Sequence, residues 1–154
     1  MAEPRGPFNS PGFWLHHAAL TWRRELDSRL VEIGLTHTQF NLLASANWLS
    51  RNGEQPTQQQ TADLAGADRM MASKVLATLE RHDLLERSPH PADPRAKRLR
   101  VTAAGATLVR RAVGIVADID EEIFGPPSAQ RDQLRDQLSG FTTSPNDQGK
   151  MDAK

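Results

Sequence analysis

Asp68-Arg69-Met70-Met71-Ala72-Ser73-Lys74-Val75-Leu76-Ala77-Thr78-Leu79-Glu80 decides the fold together with two segments C-terminal to it, Leu84-Leu85-Glu86-Arg87-Ser88 and Pro91-Ala92-Asp93-Pro94-Arg95-Ala96-Lys97-Arg98-Leu99-Arg100-Val101-Thr102. Asp68 is a good N-cap for a helix, because its carboxylate can accept from the unpaired first-turn amides. Ala72, Val75, Leu76 and Leu79 recur at three- and four-residue steps, the buried stripe of that helix. Arg69, Met70, Ser73, Lys74, Ala77 and Thr78 fall largely on the other side. Leu84–Ser88 reads as a strand. His90-Pro91-Ala92-Asp93-Pro94 is a turn whose prolines forbid helix. Lys97–Val101 is the returning strand, so a helix runs directly into a hairpin with a long basic tip.

Working outward, Pro56-Thr57 with Gln60 three residues on is a capping box. It opens a short helix from Gln58 to about Leu64, joined to the Asp68 helix through the Ala65-Gly66-Ala67 turn. Before it, Thr36 and Gln39 form another capping box with Leu35 and Phe40 as its staple, and this helix runs to about Arg51, where Gly53 stops it. Earlier still, Leu15, Ala18, Trp22, Leu26, Leu30 and Ile33 mark one apolar stripe on a long first helix ended by Gly34. After the hairpin, Thr102 caps a long fifth helix with the stripe Leu108, Ala112, Ile115, Ile119 and Ile123. Gly125-Pro126-Pro127 ends it, and Ser128 caps a sixth helix carrying Leu134 and Leu138. Residues 1–12 read as a flexible arm and 141–154 as a disordered tail. The expected architecture is mainly α with a small β-hairpin wing: a winged helix-turn-helix over 34–102, inside a domain spanning 13–140.

The whole chain has 154 residues and zero net charge, but the charge is unevenly placed. Residues 69–111 hold ten Lys and Arg against four acids, a net +6, while 1–68 carry −2 and 112–154 carry −4. A basic middle between acidic ends suits a protein that turns one face to a polyanion. With 38% hydrophobic and 25% charged residues the composition is that of an ordinary soluble protein. No apolar run approaches the roughly 18 residues of a membrane span, and the first residues lack the apolar core of a secretion signal. Cytoplasm is the default compartment. The absence of cysteine closes disulfides, thiolate zinc sites, cysteine nucleophiles and thiol redox sensing. His16 and His17 cannot both face one metal on a helix, and His37, His82 and His90 are scattered, so no metal site is expected. No nucleophile elbow or phosphate-binding glycine loop is present, so neither an enzyme nor a cofactor is indicated.

Two helices joined by a glycine turn and continued by a basic hairpin form the winged helix-turn-helix plan. A major groove about 12 Å wide accepts one helix, whose exposed side chains reach base edges. The helix from Asp68 to Leu76, with Leu79-Glu80 and Leu84-Leu85-Glu86-Arg87, resembles the multiple antibiotic resistance regulator (MarR) family. The wing from Pro91 to Thr102 is similar to that family's Asp-x-Arg wing, which runs into a hydrophobic-Thr helix start. The resemblance covers about residues 13–140. It implies a homodimer whose first, fifth and sixth helices (13–33 and 103–140) pack between subunits, commonly a repressor released by a small ligand. Two departures stand out. Asp83 occupies the family's usual glycine position, where a left-handed backbone is expected. Met70 and Met71 replace small hydroxyl residues, which implies reading by shape and thymine-methyl contact.

Candidate DNA-binding residues lie on three segments. Arg95 is the wing-tip arginine for a narrow minor groove, with Asp93 expected to hold it by a salt bridge. Lys97, Arg98 and Arg100 alternate along a strand and cannot all face one side; two of the three, Lys97 among them, are expected to serve phosphates and the third to be solvated. Arg69, Met70, Met71, Ser73, Lys74 and Thr78 would face the major groove. Thr57, Gln58 and Gln59 could hold a phosphate at the start of the third helix, though plain capping explains them equally. In the family, effectors often bind between the dimer helices and the DNA-binding lobe. This makes Trp14, His17, Trp22 and Trp48 candidate effector-lining residues, with Trp22 also on the core stripe. The alternative reading is a winged-helix module that binds protein rather than DNA, which suits the zero net charge but leaves the Asp-x-Arg wing unexplained.

Overall fold

The computed structural model describes residues 6–142. The first residues of the arm (1–5) and most of the expected tail (143–154) lie outside the described residues. Among the described residues, six α-helices and one hairpin occur in the order α1 (Pro11–Glu32), α2 (His37–Leu49), α3 (Gln58–Ala65), α4 (Arg69–Arg81), β1 (Leu85–Pro89), β2 (Lys97–Val101), α5 (Ala103–Phe124) and α6 (Ala129–Gly140). Single 3-10 turns lie at Pro7–Asn9 and Ser50–Asn52. Part of the expected arm is therefore helical: Ser10 caps α1, with Pro11 in the first turn where its missing N–H is harmless.

Each later helix starts where a side chain can satisfy its unpaired amides. Thr36 accepts from the Gln39 amide at 3.2 Å while Gln39 Oε1 accepts from the Thr36 amide at 2.9 Å. Thr57 and Gln60 repeat that box at 3.1 and 2.9 Å. Asp68 Oδ1 accepts from both Met70 and Met71 at 3.0 Å, and Ser128 caps α6. Thr102 Oγ1 accepts from the Gly105 amide at 3.0 Å and donates to the Asp83 carbonyl at 2.7 Å, so one hydroxyl joins the start of α5 to the end of α4. Asp83 has φ 57°, the left-handed turn expected at that position.

Residues to Ala117 form one compact unit and those from Asp118 a second. In the first, α2 is the hub, in contact with α1, α3, α4 and β2. Its core is Leu26, Leu30, Leu35, Phe40, Leu42, Leu43, Ala46, Ala62, Ala72, Leu76, Leu79, Leu85, Leu99, Val109 and Ala112. Burial of a Leu stabilises by about 1.5–3 kcal/mol relative to its exposure, so the leucines supply most of the apolar driving force here. Val75, expected in the α4 core, is only half-buried. The α1 stripe is covered at Leu26 and Leu30; Trp22 and Ile33 are half-buried and Leu15 and Ala18 exposed. In the second unit, Arg131 donates to the Gly125 carbonyl at 3.1 Å and lies 3.6 Å from Asp120, which pins the α5–α6 turn. Among the described residues no helix is long and apolar enough to cross a membrane.

The strands pair antiparallel, with Leu85 opposite Val101, Arg87 opposite Leu99 and Pro89 opposite Lys97. β2 has its expected bounds, and β1 starts one residue later than expected. A third, unexpected extended segment lies against β2: Leu99 donates to the Pro56 carbonyl at 2.8 Å, and Thr57 bridges Arg98. An N-cap residue needs β-region backbone, so Thr57 is already extended and can join a sheet edge. This ties the start of α3 to the wing.

Candidate nucleic-acid interface

Three elements of the first unit converge on one concavity of about 550 Å³. It is lined by Thr57, Gln58, Gln59 and Ala62 of the α3 segment, Arg69 and Ser73 of α4, and Asp93, Arg95, Ala96 and Lys97 of the wing. Eight of the twelve sequence-derived DNA-binding residues meet there. Of the other four, Met70, Met71 and Lys74 are exposed elsewhere on α4. Thr78 is half-buried, its hydroxyl donating to the Lys74 carbonyl and accepting from Arg81. Sequence reasoning passed over Ala62 and Ala96, whose short side chains leave the hollow open; their size was the available signal.

The cations in and beside the hollow stand outside ion pairs, although Lys97, after Arg87, helps to hold the Glu80 carboxyl below its ordinary value. Arg69, Lys74, Arg95 and Lys97 make no ion pair among the described residues, whereas Arg87 and Arg100 do. Arg87 Nε donates to Glu80 at 2.8 Å, and the Arg87 amide donates to the same carboxylate at 3.0 Å. This guanidinium holds the Glu80 carboxyl below its ordinary range. Arg100 pairs with Glu86 across the hairpin, at a directly opposed position. The acids of the segment thus fix the base and outer edge of the wing, and the cations near its tip and on α4 stay available. Arg98 is half-buried, with Nε lacking a hydrogen-bond partner; Gln58 Oε1 is likewise buried and unpaired.

The Asp93–Arg95 salt bridge expected from sequence is not formed. Asp93 Oδ1 instead accepts from the Arg95 backbone amide at 2.9 Å, and Ala96 donates to the Asp93 carbonyl at 3.1 Å. Asp93 shapes the turn as an Asx motif and leaves the guanidinium free. The α3 residues have mixed duties. The Thr57 hydroxyl caps its helix and Gln59 Nε2 donates to Asp63 at 2.7 Å.

The four candidate effector residues fall into three surroundings. Trp14 and His17 belong to an aromatic cluster with Phe8 and Phe13, and Trp14 Nε1 donates to the Phe8 carbonyl at 2.9 Å. Trp22 meets the His37 ring edge-on at 6.2 Å. Trp48 lies under the Arg51 guanidinium at 3.9 Å and borders a second hollow of about 410 Å³ with Asn41, Ala44, Ser45, Leu64 and Ala65. Among the described residues no three His, Asp or Glu are placed to hold a metal.

Comparison with known proteins agrees with this arrangement. The MarR family model matches residues 35–97, which runs from the start of α2 to the wing. An uncharacterised HTH-type transcriptional regulator of Bacillus subtilis (strain 168), YdcH, is 40% identical over 119 residues, 77% of this chain and 81% of that protein. Among solved structures, CouR from Rhodococcus jostii RHA1 bound to p-coumaroyl-CoA superposes with a TM-score of 0.78 at 25% identity, covering 92% of this chain and 99% of that one. A mutant of E. coli MarR complexed with operator DNA gives a TM-score of 0.71 at 22% identity, covering 86% and 93%. The chain belongs to the MarR family, whose members are transcriptional regulators and not enzymes.

Proposed function

We propose that this chain binds duplex DNA as a homodimer on an imperfect palindrome, as a repressor relieved by a small-molecule ligand. The observation that carries the DNA reading is the concavity in which Arg69, Arg95 and Lys97, none of them in an ion pair among the described residues, meet the capped start of α3. In this reading α4 enters the major groove with Arg69, Met70, Met71, Ser73, Lys74 and Thr78. The wing carries Arg95 to the minor groove, where narrow A·T-rich segments concentrate negative potential. Asp93 sets the wing turn, and Thr57, Gln58, Gln59 and Lys97 serve the phosphates.

The dimer is supported by apolar surface left uncovered in a single chain: Trp14, Leu15, Leu20 and Val31 on α1, and Leu134, Leu138 and Phe141 in the second unit, are exposed. Closed two-fold pairing is the commonest way to cover such surface. A two-fold dimer offers two recognition helices about 34 Å apart, hence two half-sites. Ligand relief is supported by the likeness to a relative solved with an acyl-CoA. Its candidate lining is Trp14, His17, Trp22 and Trp48, of which Trp48 borders a hollow.

The test is selection of bound sites from random duplex DNA, then titration of the selected site at several salt concentrations. Binding should weaken linearly in log salt, with a slope of about −0.9 for each phosphate neutralised. Absence of binding at low salt would put the protein-interaction module first. Sedimentation at micromolar concentration should show a species twice 17.1 kDa.

A further inference from the structure

We propose that Met70 and Met71 form a reversible oxidation site, through which a peroxide-class oxidant weakens DNA binding; the inference rests on the DNA reading above. The sequence has four methionines and no cysteine. Met1 and Met151 lie outside the described residues, so Met70 and Met71 are the only methionines of the described fold, and they are adjacent in the first turn of α4. Neither is core: Met70 is 72% and Met71 44% exposed. An exposed thioether is open to oxidants, whereas a core methionine is shielded.

The chemistry needs only the oxidant. The thioether sulfur attacks one peroxide oxygen, an S–O bond forms and the O–O bond breaks. The departing hydroxide takes the proton of the newly bonded oxygen and leaves as water, and sulfur, having given up two electrons, becomes the sulfoxide. Methionine sulfoxide reductases reverse the step. The physical consequence depends on the face on which the new oxygen sits. Arg69, Ser73 and Lys74, exposed or half-buried within the first two turns of α4, all carry donors, while the two methionines offer apolar contact. At a T·A pair the major-groove edge presents the thymine methyl, two acceptors (thymine O4 and adenine N7) and one donor (adenine N6). A sulfoxide oxygen is an acceptor without a proton. It replaces an apolar contact with thymine methyl by a polar group that only the N6 donor can satisfy and that the acceptors and phosphates repel. The loss should resemble that of a mismatched base pair, roughly tenfold in affinity. The fold should be untouched, because neither side chain packs in the core.

The experiment uses the full chain and a duplex selected from random DNA. Reduced protein is titrated first; failure to bind at this stage refutes the DNA reading and the inference with it. The protein is then treated with hydrogen peroxide, oxygen addition is assigned to each methionine by peptide mass spectrometry, and the titration is repeated. Affinity should fall roughly tenfold in step with oxygen at positions 70 and 71, and return after treatment with methionine sulfoxide reductases. The variant M70L/M71L keeps size and apolarity but cannot be oxidised there. Whatever its own affinity, the ratio between treated and untreated samples should stay near one. Unchanged affinity with both sulfoxides formed would overturn the proposal while leaving the DNA reading standing. So would an equal loss in M70L/M71L, or a lack of oxidation at 70 and 71 when Met1 and Met151 have reacted.

Discussion

Gly105→Ala should destabilise the protein sharply, although it places the best helix former inside a helix. Gly105 lies in the first turn of α5 and is buried. A Cβ there would stand 2.0 Å from the Leu84 carbonyl oxygen and 3.0 Å from both Leu84 C and Val101 Cγ1. Carbon and oxygen approach no closer than about 3.3 Å without penalty, so backbone must move by about 1.3 Å. That backbone is held on both sides. The Leu84 oxygen accepts from the Thr102 amide at 3.1 Å, and the Leu84 amide donates to the Leu79 carbonyl at 3.1 Å. Overpacking costs about 1–3 kcal/mol and the strained Leu84–Thr102 hydrogen bond about 1 more. The gain in helix propensity returns about 1. The net is about 1–3 kcal/mol, a fall in Tm of several degrees for a chain of this size, on the order of 2–4 °C per kcal/mol. The assay is thermal and urea melting at fixed protein concentration, since a dimer's Tm depends on it. Gly114→Ala, on the same helix with nothing within 4 Å of its Cβ position, should be neutral or stabilising by up to about 1 kcal/mol. If Gly105→Ala melts as high as Gly114→Ala, then α5 does not approach the wing as described.

Asp68→Ala removes the acceptor of two first-turn amides and should cost about 0.5–2 kcal/mol in urea melts, with Asp68→Asn recovering most of it. Arg95→Ala should weaken DNA binding across operator variants and lower the salt slope by about one phosphate equivalent, with the ranking of half-sites kept; an unchanged slope would remove the wing from the interface. Burial, and then Arg23, hold His37 below its ordinary pKa of 6.5, against a smaller opposing effect of Asp27. The unfolded chain therefore takes up the proton first: this contribution is full above about pH 6.5, declines as pH falls below it, and should vanish from paired melts in His37→Gln. Glu80, held below its ordinary value of 4.5 first by its hydrogen bond to Arg87, contributes stability that is present above that value and lost as pH falls through the lowered one; Arg87→Ala should move the acid transition to higher pH.

The features legible in the sequence were those settled within three or four residues. Thr36, Thr57, Asp68, Thr102 and Ser128 cap the helices assigned to them, because a cap is a bond between a side chain and an amide two or three positions on. Asp83 is left-handed for an equally local reason: the chain must leave α4 and enter β1 within three residues. Where a side chain has two possible partners, residue type was not enough. Asp93 and Arg95 look like an ion pair on paper. In a tight turn, however, the carboxylate meets the amide two residues on before a long guanidinium can fold back to it. The outcome leaves Arg95 freer than the ion pair would have.

Contacts across long stretches of chain were hidden for a different reason. Nothing in Pro56-Thr57 announces that its partners are Leu99 and Arg98. Both facts needed for the pairing were nonetheless present, an extended N-cap and a strand with a free edge. The four aromatic effector candidates show the same limit from the other side. Aromatic character marks a residue able to line a pocket, but helical phase and position decide which one, and Trp14, Trp22 and Trp48 end in different surroundings. On α1, periodicity identifies an apolar face without identifying what covers it. Leu26 and Leu30 are covered by this chain; Leu15, on the same stripe, is not. Under the dimer proposal that division is itself informative: Leu15→Ser should lower the dimer's association constant while leaving the melting of dilute chain nearly unchanged, whereas Leu26→Ala should cost about 2–5 kcal/mol of fold stability. Equal effects of the two on the fold would mean that the exposed half of α1 is not an interface.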